Sequence, residues 1–198
     1  MRKIVAGLFI SLDGVVEEPA DWHFPYFNDE MGAAVGGMLA DTILLGRKTY
    51  DSFAGAWPER EEAGGEDYEF AKLLGDARKI VLSNQPLQFT WRNSEQLQGD
   101  LVEAVTALKN EPGGNISMSG SISVIRQLLA AGLLDELHLL VHPIAVRNGM
   151  RLFDEGQTIP LKLISSQVFE TGVLNLVYGP AESTGPAEST ELAEPERD

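Results

Sequence analysis

The stretch that decides the fold reads LLGRKTYDSF over residues 44–53, where a short apolar run ends at Gly46 and a helical pattern begins at Arg47. Thr42 to Leu45 predicts a short buried strand, and Arg47 to Phe53 predicts the opening of a helix. A helix N-terminus presents unpaired N–H groups with a partial positive charge, and glycine lets a phosphate approach the backbone closely. The stretch is therefore typical of a phosphate site, although a glycine at such a junction is often only a turn.

Two later strand ends repeat this arrangement with hydroxyl and amide side chains. Lys79 to Leu82 predicts a buried strand that is followed by Ser83 and Asn84. Ile116 to Met118 predicts another, followed by Gly120 and by a helix over residues 121–129. Because open α/β sheets bind ligands outside the carboxyl ends of their strands, the three junctions together could grip one dinucleotide. Turn formation alone also explains each of them.

The remaining pattern alternates early and then ends in strands. Apolar runs predict strands over residues 3–12 and 136–141, and helical spacing predicts helices over residues 28–39 and 101–109. Residues 161–169 and 173–178 predict two strands joined by the turn Glu170-Thr171-Gly172. The predicted fold class is α/β, with a mixed and mostly parallel sheet, helices on both faces and a C-terminal antiparallel hairpin.

The chain length predicts one domain with a short appendage. A chain of 198 residues with 43% hydrophobic content can bury one substantial core. Residues 1–179 are assigned to that domain. Residues 179–184 read GPAEST and are repeated over residues 185–190, after which the chain stays acidic. We predict a disordered acidic tail over residues 180–198, because such a segment buries too little apolar surface to offset its ordering entropy.

Charge and composition exclude several classes of partner. The formal net charge is -15, of which the predicted tail supplies -5 through six acidic residues and one arginine. Nucleic acid and anionic membrane surfaces would repel such a chain. The chain has no cysteine, which excludes disulfides and thiolate metal sites and permits the reducing cytoplasm. We therefore expect a cytoplasmic protein with no metal, no nucleic acid and no membrane among its partners.

The order of these motifs resembles the dihydrofolate reductase superfamily, most closely the reductase domain at the C-terminus of the bifunctional riboflavin-biosynthesis deaminase-reductase. The resemblance covers nearly all of residues 2–179. The residues that carry it are SLDG at 11–14, LGRKTYDSF at 45–53, KIVLS at 79–83, Gly120-Ser121 followed by Leu128 and Leu129, DEL at 135–137, and the stretch from His142-Pro143 to Leu152-Phe153.

The resemblance implies an NADPH-dependent reductase of a small heterocycle, similar to 5-amino-6-(5-phosphoribosylamino)uracil reductase, and a homodimer. The run from Leu137 to Val141 also suggests a homodimer. Two alternatives stay open: pterin reduction of the dihydrofolate reductase type, and a non-catalytic NADPH-binding module. The residues that the resemblance assigns to NADPH are Ala6, Gly46, Arg47, Lys48, Thr49, Ser83, Asn84, Ser119, Gly120, Ser121 and Ile122.

The chain departs from the family pattern at two places. Many relatives have a Gly-Gly pair joined by a cis peptide where this chain has Ser119-Gly120, which leaves the cis bond open. Relatives also often have glycine where Arg147 stands, so the loop around it is expected to follow a different path. No deaminase domain or zinc-binding signature is present, and at most the reductase half is represented.

Three carboxylates are candidates for catalysis. Asp13 matches the substrate-site aspartate of the riboflavin reductase branch, although an aspartate before glycine is equally a turn residue. Asp29 and Glu30 open the first predicted helix, where folate reductases place their catalytic carboxylate, although acidic residues there also stabilise the helix dipole. His23 stands among aromatic residues and either lines the substrate pocket or packs in the core.

Overall fold

The computed structural model describes residues 1–181; residues 182–198, which hold most of the predicted tail, lie outside the described part. The strands are β1 (Ile4–Ser11), β2 (Thr42–Gly46), β3 (Arg78–Leu82), β4 (Ser94–Gln96), β5 (Ile116–Ser119), β6 (Glu136–His142), β7 (Leu161–Val168) and β8 (Leu174–Pro180). The helices are α1 (Asp29–Gly37), α2 (Arg47–Ala63), α3 (Tyr68–Asp76), α4 (Leu101–Asn110) and α5 (Ile122–Ala130), with 3-10 turns at Pro19–Asp21 and Phe24–Tyr26. Because β8 ends at Pro180, the sheet reaches one residue past the predicted domain end.

The eight strands form one sheet in the order β4-β3-β2-β5-β1-β6-β8-β7. The first six of these are parallel to their neighbours, whereas β8 pairs antiparallel with both β6 and β7. The turn at residues 170–172 joins β7 to β8, and Phe169 N–H donates to the Val173 carbonyl across 2.9 Å. The mixed, mostly parallel sheet and its C-terminal hairpin are confirmed.

Alternate residues of β2 show why helices cover both faces of the sheet. Leu44 is fully buried in a cluster that also contains residues of α4 and α5. Ile43 and Leu45 are buried in a second cluster, with residues of α2 and α3. Since successive side chains of a strand point to opposite faces, the two clusters lie on the two sides of the sheet. The predicted placement of helices on both faces is confirmed.

Two elements were not predicted, α3 and β4. Only three residues form β4, and none of them is apolar, so no strand pattern marks it. The C-terminal end of α3 is held by a buried lysine on β3. Lys79 Nζ donates to the carbonyl oxygens of Leu74, Gly75 and Ala77 at 2.8, 2.9 and 2.7 Å, and lies 4.2 Å from the centre of the Trp91 ring. The strand that was predicted from its apolar pattern therefore also anchors a helix that the pattern did not show.

The apolar run from Leu137 to Val141 has a role other than dimerisation. It forms most of β6, which lies between β1 and β8 inside the sheet, and Leu137 and Leu140 are each 1% exposed. Burial in the core of one chain accounts for the apolar character of this run. The homodimer itself stays a prediction.

Within residues 1–181, the structure contains no helix that is both long enough and apolar enough to cross a bilayer.

Candidate functional site

Hydrogen bonds connect the three junctions at the carboxyl ends of β2, β3 and β5. Ser121, at the start of α5, accepts a hydrogen bond through Oγ from Gly46 N–H at 2.9 Å. Its own N–H donates to Thr49 Oγ1 of α2, also at 2.9 Å. Arg47 Nη1 donates to Gln85 Oε1 in the loop after β3 at 3.3 Å. The structure therefore brings together the junctions that the sequence analysis grouped.

The N-termini of α2 and α5 meet at this point without side-chain caps. By contrast, α1 is capped by Asn28, which accepts from Met31 N–H, and α4 is capped by Asp100. Uncapped first turns retain N–H groups and a partial positive charge that can attract an anion. Two such helix ends side by side, with Arg47 and Lys48 in the first turn of α2, form a candidate site for phosphate groups.

Gly120 is required for the close contact between the two helix starts. Its φ of 58° lies in the left-handed region, which L side chains rarely adopt. A Cβ atom at this position would lie 3.0 Å from both Cγ2 and Oγ1 of Thr49. Ser121 also has a left-handed backbone, with φ of 53°. The described chain contains no cis peptide bond, so Ser119-Gly120 is joined by a trans bond.

A cavity of about 540 Å³ opens beside these junctions. Four residues assigned to NADPH line it: Lys48, Thr49, Ser119 and Gly120. Its remaining wall is mainly apolar and comes chiefly from β1, α1, α2, α3 and the segment between Glu18 and His23. The cavity therefore offers polar groups at the helix starts and an apolar surface for a ring system, which is the usual character of a small-molecule site.

Other residues assigned to NADPH lie outside this lining, namely Ala6, Gly46, Arg47, Ser83, Asn84, Ser121 and Ile122. The hydroxyl of Ser83 forms a local turn, donating to the Gln85 carbonyl at 2.9 Å and accepting from Gln85 N–H at 3.1 Å. Ala6 is fully buried in the main core, whereas its neighbour Gly7 lines the cavity.

The sequence analysis missed the aromatic wall of the cavity. Phe53 and Trp57 of α2 and Phe70 of α3 line it, and the rings of Trp57 and Phe70 lie 5.1 Å apart. Thr49, Phe53 and Trp57 follow each other at four-residue spacing, which places them on one helix face. That spacing was a usable signal for Trp57, whereas Phe70 required the unpredicted helix α3.

The structure places the candidate carboxylates of α1 away from the cavity. Glu30 Oε2 accepts hydrogen bonds from Asn28 Nδ2 at 3.0 Å and from Glu170 N–H at 2.8 Å. Glu30 thereby connects α1 to the hairpin between β7 and β8. Asp29 occupies the first turn of α1, and neither residue lines the cavity. Their geometry favours the structural interpretation.

Asp13 also lies outside the lining, and its carboxylate binds a distant loop. The carboxylate accepts from the Ser11 hydroxyl at 2.6 Å, from Val146 N–H at 3.0 Å and from Arg147 N–H at 2.9 Å. The Ser11 hydroxyl above all, and then the two backbone N–H groups, hold the pKa of Asp13 below its ordinary value. Arg147 has a left-handed backbone with φ of 73°, at the position where relatives often have glycine. Asp13 is therefore built to fix this loop.

A second cavity, of about 630 Å³, lies at the opposite edge of the sheet. Charged groups in its lining pair with one another: Arg2 Nη2 is 3.1 Å from Asp41 Oδ1, and Arg78 Nε is 2.5 Å from Glu95 Oε1. Parallel α/β sheets bind ligands at the other edge, where the strands end. The first cavity is therefore the better candidate site.

The chain matches one known protein family over most of its length. Residues 2–175 match the family model of the RibD C-terminal domain. The chain belongs to this family. The domain is 32% identical over 181 residues to the uncharacterized protein YyaP of Bacillus subtilis (strain 168), a match covering 89% of this chain and 94% of YyaP. It is 24% identical over 162 residues to the uncharacterized protein YwjB of the same strain, covering 78% and 84%.

Two solved structures share the fold. A putative riboflavin biosynthesis protein from Shewanella sp. PV-4 superposes with a TM-score of 0.69 at 21% identity, over 92% of this chain and 100% of its own. A pyrimidine reductase-like protein from Corynebacterium diphtheriae superposes with a TM-score of 0.61 at 17% identity, over 91% and 92%. The expected dihydrofolate-reductase-like fold agrees with these neighbours. The RibD C-terminal domain is a reductase domain, which identifies this chain as an oxidoreductase-type domain.

The contacts of Asp13 lead to a prediction for Asp13→Asn. The asparagine side chain has only one oxygen that accepts hydrogen bonds, so its NH2 group must face the N–H of either Val146 or Arg147. Because two donors then face each other, we expect the variant to have a lower melting temperature than wild type. Turnover should stay within about threefold of wild type, far from the ~10²- to 10⁴-fold loss expected for a general acid–base group. Thermal unfolding and steady-state kinetics check both expectations. A large fall in turnover at unchanged stability would restore Asp13 to the mechanism.

The pH dependence of the same variant provides a second measurement. Because the pKa of Asp13 is lowered in the folded state, its ionised carboxylate stabilises the fold above the ordinary aspartate pKa. That contribution is lost as the pH falls through the lower, folded pKa. Asp13→Asn should therefore differ most from wild type near neutral pH and converge with it in acid.

Proposed function

We propose that this domain is an NADPH-dependent reductase of a small heterocyclic substrate. The observation that carries the proposal is the meeting of the uncapped N-termini of α2 and α5 beside the cavity, with two cations in the first turn of α2. An acidic chain needs such a local cluster to hold a polyanion. The family assignment independently favours a reductase.

The residues at the junction suit a phosphorylated dinucleotide. Lys48 has no ion-pair partner within residues 1–181 and lines the cavity, so its ammonium group can bind a phosphate. Arg47 is half-exposed and contacts Asp51 at 3.5 Å, an exposed pair that a phosphate can replace at little cost. Arginine binds phosphate through two parallel hydrogen bonds, which suits it to the 2'-phosphate of NADPH.

The apolar wall has a separate task. When bound, NADPH supplies a hydride for the substrate. Phe9, Val35 and Met38 line the same cavity and exclude water from it. Gly7 lets Met38 pack directly against β1, because a Cβ atom at Gly7 would lie 2.6 Å from Met38 Sδ. These residues hold a flat ring in a dry pocket, which favours hydride transfer over competing reactions with solvent.

We expect the domain to bind NADPH at least about tenfold more tightly than NADH, because each charged hydrogen bond to the extra phosphate contributes about 1.5 to 3 kcal/mol. Arg47→Ala should remove most of this preference and leave NADH binding nearly unchanged. Dissociation constants from cofactor fluorescence or calorimetry check both expectations. Lys72→Ala on α3, an exposed lysine paired with Asp76, is the control and should bind both cofactors as wild type does.

Equal dissociation constants for the two cofactors would overturn the NADPH assignment. If Arg47→Ala weakened both cofactors alike and lowered the melting temperature, Arg47 would serve only the fold. NADPH binding without oxidation in the presence of pterin, folate and ribosylaminopyrimidine compounds would favour the binding-module alternative, and strong inhibition by an antifolate would favour pterin reduction.

A further inference from the structure

The segment from Glu18 to His23 forms one wall of the cavity and contains none of the residues assigned to the cofactor. Glu18, Pro19, Ala20 and His23 all line the cavity, beside Phe9 of β1. The segment is anchored through the residue before it, since Trp22 Nε1 donates to the Glu17 carbonyl at 3.1 Å and Glu17 Oε2 accepts from Met150 N–H at 2.8 Å. It is therefore a fixed wall.

His23 is a buried polar group whose hydrogen bonding is incomplete. His23 is only 6% exposed, and its Nδ1 atom has no hydrogen-bond partner within residues 1–181. The imidazole stacks on Phe9 with ring centres 4.4 Å apart and planes at 12°, and Phe24 lies 4.2 Å away. A buried nitrogen without a partner requires an explanation, and a group that arrives in the cavity can supply one.

The surroundings of His23 also keep it uncharged. Burial, and to a smaller extent His142, lower the pKa of His23 to about 4. The two histidine rings lie 6.1 Å apart at 90°. At neutral pH the imidazole is therefore neutral, and a neutral imidazole has one donor and one acceptor nitrogen. Such a group matches the edge of a heterocycle, which likewise carries both donors and acceptors.

Glu18 is the one carboxylate that lines the cavity within the described chain. The Glu18 side chain forms no hydrogen bond or ion pair with residues 1–181. Its backbone is left-handed, with φ of 41° and ψ of 55°, and it precedes Pro19, a combination that sterics disfavour. Strained residues of this kind persist where the surrounding structure fixes them, and they cluster at ligand sites.

The cavity lining contains one cationic and one anionic side chain among the described residues. Lys48 is the one cation in the lining within residues 1–181, and the proposed function commits it to the cofactor. The Glu18–His23 segment of the lining carries the Glu18 carboxylate and the neutral His23. Among the described residues, this wall offers a substrate no cation of its own. A phosphate group on the substrate would meet the Glu18 carboxylate, and such like-charge contacts are a common means of rejecting a wrong ligand.

We propose that Glu18 and His23 recognise the substrate and select an uncharged, unphosphorylated heterocycle. The proposal rests on the proposed function, because it takes Lys48 to be occupied by the cofactor. His23 hydrogen-bonds the polar edge of the ring while Phe9 stacks behind it. Glu18 accepts from ring N–H or amino groups and repels a phosphate.

The test uses two probes that differ by one phosphate, 5-amino-6-(ribosylamino)uracil and its 5'-phosphate. Their dissociation constants are measured by calorimetry on the full chain saturated with NADP+. The unphosphorylated probe should bind at least tenfold more tightly. Glu18→Gln should reduce that ratio to about threefold or less by improving binding of the phosphate. Glu103→Gln, an equal change of charge on α4, should leave the ratio as in wild type.

The role of His23 is tested with the same probes. His23→Phe keeps the stacking on Phe9 and removes both nitrogens, so both probes should bind at least tenfold more weakly, while the melting temperature is unchanged or higher because an unpaired nitrogen is gone. His23→Gln should recover part of the affinity, since an amide again supplies a donor and an acceptor.

The outcomes separate this proposal from the proposed function. Equal or tighter binding of the phosphorylated probe, an unchanged ratio in Glu18→Gln, or wild-type affinity in His23→Phe would overturn the proposal. So would failure of both probes to bind while NADPH binds normally, and the proposed cofactor would then stand. Failure of NADPH itself to bind would instead contradict the proposed function.

Discussion

Lys79→Met is expected to destabilise the fold by about 3 kcal/mol, because it removes the donor for three carbonyl oxygens at the end of α3 and leaves buried acceptors unpaired. Lys79 is fully buried, so water cannot replace its ammonium group. Methionine preserves most of the volume and the contact with Trp91. Chemical denaturation measures the change as a shift in midpoint at an unchanged slope.

Lys72→Met is the matched control for this measurement. Lys72 is exposed and pairs with Asp76 one helical turn away, at 2.6 Å, and such surface pairs contribute about 0.5 kcal/mol or less. A buried charge is also costly, and some are replaced by apolar residues with a gain in stability. If Lys79→Met were as stable as wild type or more so, the desolvation of the lysine would outweigh its three hydrogen bonds.

The pH dependence of stability gives an independent readout of Lys79. Burial, the largest cause, lowers the pKa of Lys79 to about 8 from an ordinary value of 10.5. Between these values the unfolded chain binds a proton that the folded chain does not, so the lysine makes stability rise with pH over that window. The difference in unfolding free energy between wild type and Lys79→Met should therefore change from pH 8 to 10.5. Parallel curves would contradict the assigned pKa.

Gly120→Ala is expected to weaken NADPH binding by at least about tenfold and to destabilise the fold by roughly 1 to 3 kcal/mol. The new Cβ atom would press on Thr49, whose hydroxyl accepts from Ser121 N–H. Relieving that contact moves the start of α2 away from the start of α5. Cofactor titration and thermal unfolding measure the two effects.

Gly132→Ala separates backbone strain from the contact with Thr49. Gly132 also has a left-handed φ, 65°, but a Cβ atom there would meet no atom within 4 Å. Gly132→Ala should therefore show the cost of the backbone conformation alone, about 1 kcal/mol, and should bind NADPH normally. If the two variants matched in stability and in cofactor affinity, the contact between Gly120 and Thr49 would have no functional role.

Local patterns predicted the elements that carry their own signal. Apolar runs predicted β1, β2, β3, β5 and β6, five of the six parallel strands, because buried strands need a largely apolar sequence. The turn at residues 170–172 was sufficient for the hairpin. The short polar strand β4 carries no such signal, since its pairing with β3 involves backbone groups that every residue possesses.

The residues of the candidate site also divide into those that the sequence indicated and those that it did not. The sequence located the junctions proposed to bind phosphate, because a glycine and cations at a strand-to-helix boundary are contiguous in the chain. It also raised His23 as a possible pocket residue. It did not indicate Glu18, since nothing in the neighbouring residues shows that this carboxylate lines a cavity while Asp13 and Glu30 do not.

The sequence by itself determined most of the strands and helices, though not α3 or β4, and the residue types at each junction. Only the tertiary structure decided which side chains remain available at the site. Asp13 is bound by Val146, 133 residues away, and Glu30 by Glu170, 140 residues away, while Gly46 and Ser121 meet across 75 residues. Periodicity reports only on neighbours within a few residues, and a hydrogen bond between distant segments depends on how the whole sheet is assembled.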